Sequence, residues 1–181
     1  MEYLWQQTRQ SITALLGKYP GTGKLIRGIS FSGQMHGMVA VDKNGRPVRD
    51  AVIWADQRSR DAIDHIWDAV SEEEWKKITL NTPCTGFLIS SLLWMREHEP
   101  NLYGETAKVM LPKDYIRFRM CGEIATDVTD ASSTGIFDVE KRQWAWELIG
   151  KLGLKREMFP FCGESYEQAG CVSSSCSRET G

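Results

Sequence analysis

Leu25-Ile26-Arg27-Gly28-Ile29-Ser30-Phe31-Ser32-Gly33-Gln34-Met35-His36-Gly37, answered by Ile53-Trp54-Ala55-Asp56-Gln57-Arg58, is the part of this chain that says most about its fold and its chemistry. The run Leu25–Ser32, bounded by turn residues, predicts a buried β-strand. Gly33–Gly37 closes it with a thioether and an imidazole between two glycines, on a turn whose side chains face outward. Functional residues concentrate at such strand ends, where a rigid sheet holds an exposed tip. The second segment ends an apolar run with an indole, then a carboxylate and a guanidinium. An indole offers a flat apolar wall, and His, Gln and Asp offer hydrogen bonds. Together they suit a small polyhydroxylated ligand.

Outward from these segments the pattern is mixed. Residues 4–17 (Leu4, Ile12, Leu15, Leu16) read as an amphipathic helix ending at Gly17, followed by the turn cluster Tyr19–Gly23. Met38–Val41 and Val48–Trp54 flank Asn44-Gly45, a strong short-range hairpin signal. Helical spacing returns over Asp56–Val70, and Ser71 before Glu72-Glu73-Glu74 marks a new helix start with acids in its first turn. Leu88–His98, Tyr115–Met120 and Trp144–Leu152, the last stopping at Gly153, are further helices, with Phe137-Asp138-Val139 ahead of the third. Strands and helices in alternation predict an α/β domain. The stretch Gly170–Ser177 is small and polar, with no closing element expected after it.

The composition narrows the choice of function. The 181 residues are 41% hydrophobic, enough for one sizeable domain. A net charge of -2 offers no field for nucleic acid or an anionic membrane. No apolar run approaches a membrane span, and Met1–Gln7 lacks the basic start and apolar stretch of a signal peptide. Five cysteines, at 84, 121, 162, 171 and 176, carry no C-x-x-C spacing, so reduced thiols in a cytoplasmic protein are expected rather than disulfides or zinc.

Several tempting signals have plainer readings. Gly21-Thr22-Gly23-Lys24 fails as a phosphate loop, because Lys18 stands where the first glycine belongs and Leu25 where Ser or Thr belongs. Asp127 and Asp130 read as turn and capping carboxylates, not an acid/base dyad. His65 and His98 lie on charged helical stretches, and the seven tryptophans need no role beyond packing. Taken alone, Met35 would be core filler, Trp54 a core anchor and His36 a turn histidine.

The order of motifs changes that balance. Gly33-Gln34-Met35-His36-Gly37, the turn Asp42-Lys43-Asn44-Gly45, Trp54-x-Asp56-x-Arg58, Pro112-Lys113-Asp114-Tyr115, Gly122–Ser132 and Phe137-Asp138 resemble, in sequence and order, the FGGY sugar kinases. Within that family the likeness is greatest to the xylulokinases, and it runs over nearly the whole chain.

The resemblance implies a ribonuclease-H-like (actin-like ATPase) domain, incomplete, with residues 1–181 as part of the N-terminal, sugar-binding domain. Members of the family open with a β-meander carrying an Asp-x-Gly-Thr phosphate turn, and Met1–Gly17 looks like the helix after it. They continue from a Thr-Gly like Thr180-Gly181 towards a Gly-Gly-Asp whose Asp is the general base, and then into an ATP-binding domain. The expected activity of a complete enzyme is ATP- and Mg²⁺-dependent phosphorylation of D-xylulose to its 5-phosphate. No catalytic residue is expected among these 181, and turnover or strong nucleotide binding by this chain alone is not expected.

Met35 and His36 match the family's substrate-contact pair, where glycerol kinases carry Arg-Glu, and Trp54 matches the indole that walls the sugar pocket in those related glycerol kinases. Asp56 joins them as a substrate-binding candidate, with an ion pair to Arg58 as the alternative. Val128 stands where glycerol kinases carry a ligand-contacting Tyr. A kinase for another sugar or polyol, or a non-catalytic sugar-binding domain, remain the competing readings. With its neighbours absent, the Leu25–Ser32 strand would expose an apolar edge, so the chain is expected to be marginally stable, aggregation-prone or self-associating.

Overall fold

Val39-Ala40-Val41 is apolar at every position, so a strand here must be buried on both faces. A computed structural model, covering Met1–Gly181, shows this arrangement. The chain runs α1 (Glu2–Lys18), β1 (Val39–Val41), α2 (Asp61–Ala69), α3 (Glu72–Thr79), α4 (Leu88–His98), α5 (Pro100–Glu105) and β2 (Lys108–Met110). It continues through α6 (Pro112–Cys121), β3 (Ala125–Asp127), α7 (Val128–Ala131), β4 (Phe137–Asp138), β5 (Gln143–Trp144), α8 (Trp146–Lys151), β6 (Phe161–Gly163) and α9 (Ser174–Thr180).

β1 pairs antiparallel with β2, Val39 opposite Met110 and Val41 opposite Lys108. Alternation sends Met38, Ala40 and Val109 into a large core with Trp75, Leu88, Leu92, Leu93 and Leu148. Val39, Val41 and Met110 point the other way, into a smaller core with Trp5, Tyr115, Ile116 and Cys176. The β1–β2 ribbon is thus the wall between two apolar layers. A parallel pair, β3 with β6, and an antiparallel pair, β4 with β5, complete the strands.

Local chemistry fixes the helix ends. The Ser71 hydroxyl accepts the Glu74 N–H at 3.3 Å and caps α3. Asp127 accepts the N–H groups of Thr129 and Asp130 at 3.1 and 3.2 Å and caps α7, as its sequence context suggested. Pro112 opens α6, where its missing N–H costs nothing.

Some expectations need correction. Leu25–Ser32 is not a buried strand. Thr22–Leu25 forms a 3₁₀ turn, and the following residues are extended but unpaired. Leu25, Ile26 and Ile29 remain 71, 50 and 49% exposed, because a strand needs neighbours and no segment of this chain pairs with it. Val48–Trp54 contributes only one isolated bridge, Val52 to Met38, and Pro47 just before it makes another to Val41 around the Asn44-Gly45 turn. The helix expected from Asp56 begins at Asp61, after turns that include the Asp56–Arg58 pair. Trp144 lies in β5, not in the helix after it. The polar segment 170–177 also hides an element. Ser173 caps α9 by accepting the Cys176 N–H at 3.1 Å, and Cys176 is buried against Trp5 and the α6 residues.

Candidate functional site

The loop that follows the extended segment is fixed by its two glycines. A Cβ on Gly33 would lie 3.0 Å from Lys113 Cβ. One on Gly37 would lie 2.8 Å from the Val52 carbonyl oxygen and 3.3 Å from Pro112 Cγ. Both glycines therefore seat the loop on the first turn of α6, and a side chain at either would lift it off. Between them His36 adopts φ 75°, the left-handed region that few non-glycine residues enter. Such a conformation persists only where the surroundings fix it.

Two contacts do so. The His36 ring stacks on Phe87, with centroids 4.3 Å apart and planes within 7°. Its Nδ1 lies 2.6 Å from the Ser133 carbonyl oxygen. A carbonyl can only accept, so Nδ1 carries the proton. In the neutral imidazole this leaves Nε2 as an acceptor, free to take a hydroxyl hydrogen.

The indole of Trp54 joins this group. Its Nε1 donates to Gln34 Oε1 at 2.8 Å, which ties the Trp54 turn to the Gln34-Met35-His36 loop. Trp54 and Met35 stay about half exposed, at 52 and 48%. The Trp54 backbone is pressed against Gly86, where an added Cβ would lie 2.2 Å from the Trp54 carbonyl oxygen. Gly86, at φ 76°, thereby lets one short loop support both Trp54 and, through the next residue, the Phe87 platform.

The structure thus brings Met35, His36 and Trp54 together, with Gln34, Phe87 and Ser133 as partners that the sequence reading had not assigned. Gln34 sat in the quoted motif, whereas Phe87 and Ser133 gave no signal of their own. Asp56 is placed differently. Both its oxygens engage Arg58, at 2.9 and 3.0 Å from Nε, and Oδ1 also accepts the Arg58 N–H. The Arg58 side-chain hydrogen bond holds the Asp56 carboxyl below the usual carboxylate range. The Arg58 guanidinium in turn lies 5.1 Å from the Trp94 ring on α4. Asp56 fixes the turn that carries Trp54.

Behind the loop lies a second cluster. Lys113 Nζ meets the Asp127 and Asp130 carboxylates, the latter at 2.9 Å, and Asp114 lies 3.6 Å away. Burial alone would lower the Lys113 pKa, but these carboxylates outweigh it and hold the ammonium charged. Asp114 is itself fully buried, its Oδ2 lacks a hydrogen-bond partner, and burial pushes its carboxyl upward. A cleft of about 1000 Å³ runs beside this cluster, between Ile26–Phe31 and Gly163–Val172.

No group of three or more His, Cys, Asp or Glu side chains converges to hold a metal ion. Gly21–Lys24 begins a 3₁₀ turn and opens no helix at which a phosphate could dock. No helix is long and apolar enough to cross a membrane.

The chain that carries this loop matches known proteins over its whole length. The FGGY family of carbohydrate kinases, N-terminal domain, matches residues 1–181. The chain belongs to the FGGY family of carbohydrate kinases. A xylulose kinase of Staphylococcus xylosus is 34% identical over 169 residues, 93% of this chain and 35% of the relative. A xylulose kinase of Lactococcus lactis is 35% identical over 173 residues, 96% of this chain and 34% of the relative. The crystal structure of a "xyloylose kinase" from Brucella ovis superimposes with a TM-score of 0.87 at 35% identity, covering 95% of this chain and 35% of that one. This FGGY domain therefore has the ribonuclease-H-like, actin-like α/β fold of those kinases, and spans about a third of the length of the curated relatives it matches.

Proposed function

We propose that this chain supplies the sugar-recognition face of an ATP-dependent carbohydrate kinase whose substrate is D-xylulose, phosphorylated at its 5-hydroxyl. The observation that carries the reading is the His36 geometry. Nδ1 is spent on Ser133, so Nε2 is left as a fixed acceptor on a loop to which the Trp54 indole is bonded through Gln34, a pairing suited to one hydroxyl and one C–H face of a sugar. The likeness to the xylulose kinases of S. xylosus and L. lactis favours a ketopentose over other polyols.

In this reading Met35, His36 and Trp54 bind substrate, and Asp56 serves by shaping the Trp54 turn. ATP is the phosphoryl donor of the whole enzyme, with Mg²⁺. The carboxylate that deprotonates the sugar, the metal site and the nucleotide site belong to parts not represented among these residues. Positioning and charge stabilisation make nearly all of phosphoryl-transfer catalysis, so the 181-residue chain by itself should not turn over ATP. The test is a titration of the ¹⁵N-labelled chain with D-xylulose. Saturable shifts of the His36 ring and Trp54 indole signals, lost in His36→Ala, support the proposal; unchanged signals refute it.

A further inference from the structure

We propose that Lys113 is the positioning residue of the His36 loop, setting both the place of the ring and the nitrogen that carries its proton. Two independent routes lead from Lys113 to His36. The first is steric: the loop rests on the opening turn of α6, with Gly33 against Lys113 Cβ and Gly37 against Pro112. The second is electrostatic and runs through the capping turn. Lys113 Nζ binds the side chains of Asp127 and Asp130. Asp127 caps α7 through the N–H groups of Thr129 and Asp130. The Asp130 carbonyl accepts the Ser133 hydroxyl at 2.6 Å, which sets the 3₁₀ turn Ser132–Thr134. The Ser133 carbonyl then accepts Nδ1–H of His36 at 2.6 Å.

Chemistry gives this arrangement a purpose. An imidazole in water favours the proton on Nε2, which would present a donor where this site presents an acceptor. An acceptor held in hydrogen-bond reach of Nδ1, here the Ser133 carbonyl, reverses that choice. The turn bearing that carbonyl is four residues of helix followed by a 3₁₀ turn, too short to hold itself. A nearly buried ammonium with two carboxylates on it provides the missing anchor, since charge-assisted bonds in such a site are stronger than neutral ones. Ser165 adds a hydroxyl bond to Asp127 at 2.8 Å and so ties the same cap to the segment after β6. Because Asp127 and Asp130 bind a lysine and a backbone turn, their pairing is structural and serves the histidine, not a reaction of their own.

The inference rests on the sugar-recognition reading for its purpose, but its test does not need sugar. Long-range ¹H–¹⁵N correlation spectra of the chain at about pH 8.5, above the imidazole range, report which ring nitrogen of each histidine is protonated. His36 is expected as the Nδ1–H form. Lys113→Met should return it to the Nε2–H form or a mixture, while His65, His98 and the Trp75 indole signal stay in place. Lys113→Arg, which keeps a cation between the two carboxylates, should restore much of the Nδ1–H form. Where Lys113→Met does not fold, Asp130→Asn decides: it keeps the shape and every backbone bond, and should move His36 in the same direction by less. A folded Lys113→Met, or failing that Asp130→Asn, with His36 unchanged would overturn the inference. The two readings fail separately. Sugar-induced shifts with a His36 indifferent to Lys113 would remove only this inference, and a Lys113-dependent tautomer with no response to any sugar would remove only the functional proposal.

Discussion

His36 Nδ1 lies 2.6 Å from the carbonyl oxygen of Ser133, 97 residues further along the chain. This bond joins the Gly-Gln-Met-His-Gly loop to the turn after β3, and it fixes which lone pair the imidazole can offer. The parallel stack on Phe87 holds the same ring from its face. Residues from three distant segments thus meet at one ring.

Removing the platform tests how much the ring's orientation matters. Aromatic pairs contribute ~0.5–1.5 kcal/mol beyond buried area. Phe87→Leu keeps an apolar side chain at this partly buried position but removes the ring, and should weaken D-xylulose binding by a few-fold, roughly 2- to 12-fold. Calorimetric titration of the folded variant checks this, and an unaltered Kd would show that the stack is packing alone.

Gly86→Ala should be far more damaging than its size suggests. The position has φ 76°, and the new methyl carbon would lie 2.2 Å from the Trp54 carbonyl oxygen, an atom that cannot swing away. Left-handed strain of ~1 kcal/mol and overpacking of ~1–3 kcal/mol together lower Tm on the order of 10 °C for a chain of this size. A thermal melt within a degree or two of the parent would contradict this.

Asp114→Asn should stabilise the protein near neutral pH. Burial raises the folded-state pKa of Asp114 above its unfolded value, so the carboxyl favours its neutral form in the fold. The sign then follows: its contribution is intact below the unfolded pKa of ~3.9 and is lost as pH rises through the raised folded value. The asparagine lacks that loss. Urea denaturation should show the variant ahead at pH 7 and the advantage shrinking towards pH 4; a constant difference would point to a packing effect instead.

The cysteines should alkylate in a set order. Cys84 and Cys171 are exposed, Cys176 is buried, and burial with nearby Asp127 and Asp114 pushes Cys162 up to about 12. Thiolate is the reactive form. Mass-spectrometric mapping after brief iodoacetamide treatment at pH 8 should find Cys84 and Cys171 modified first and Cys162 among the last. Early labelling of Cys162 would mean that β6 opens readily.

The sequence disclosed the elements whose signals are local. Ser71 with its acids marked α3, Asn44-Gly45 marked a turn, and the apolar spacing of Leu88–His98 marked the central helix. It misread Leu25–Ser32, because the run has strand composition but pairing is a property of neighbours, and this chain supplies none. It passed over α9, whose burial rests on one cysteine and one threonine, Cys176 and Thr180, and whose start rests on one serine among four. Met35, His36 and Trp54 were singled out through motif order, and the structure ties the Trp54 indole to the Gln34-Met35-His36 loop. Phe87, Ser133 and Lys113 were not, since each acts on His36 through a long-range contact that no spacing encodes. Asp56 was read for a ligand and the structure gives its oxygens to Arg58, the alternative the sequence had left open.

Sugar binding at His36 is tested most directly by the ring spectrum of the ¹⁵N-labelled chain, recorded with increasing D-xylulose and, separately, with glycerol. The expected result is an Nδ1-protonated imidazole whose Nε2 signal moves saturably with D-xylulose, in step with the Trp54 indole, and moves less with glycerol. An Nε2-protonated ring, or one indifferent to D-xylulose while the domain is folded, would contradict it.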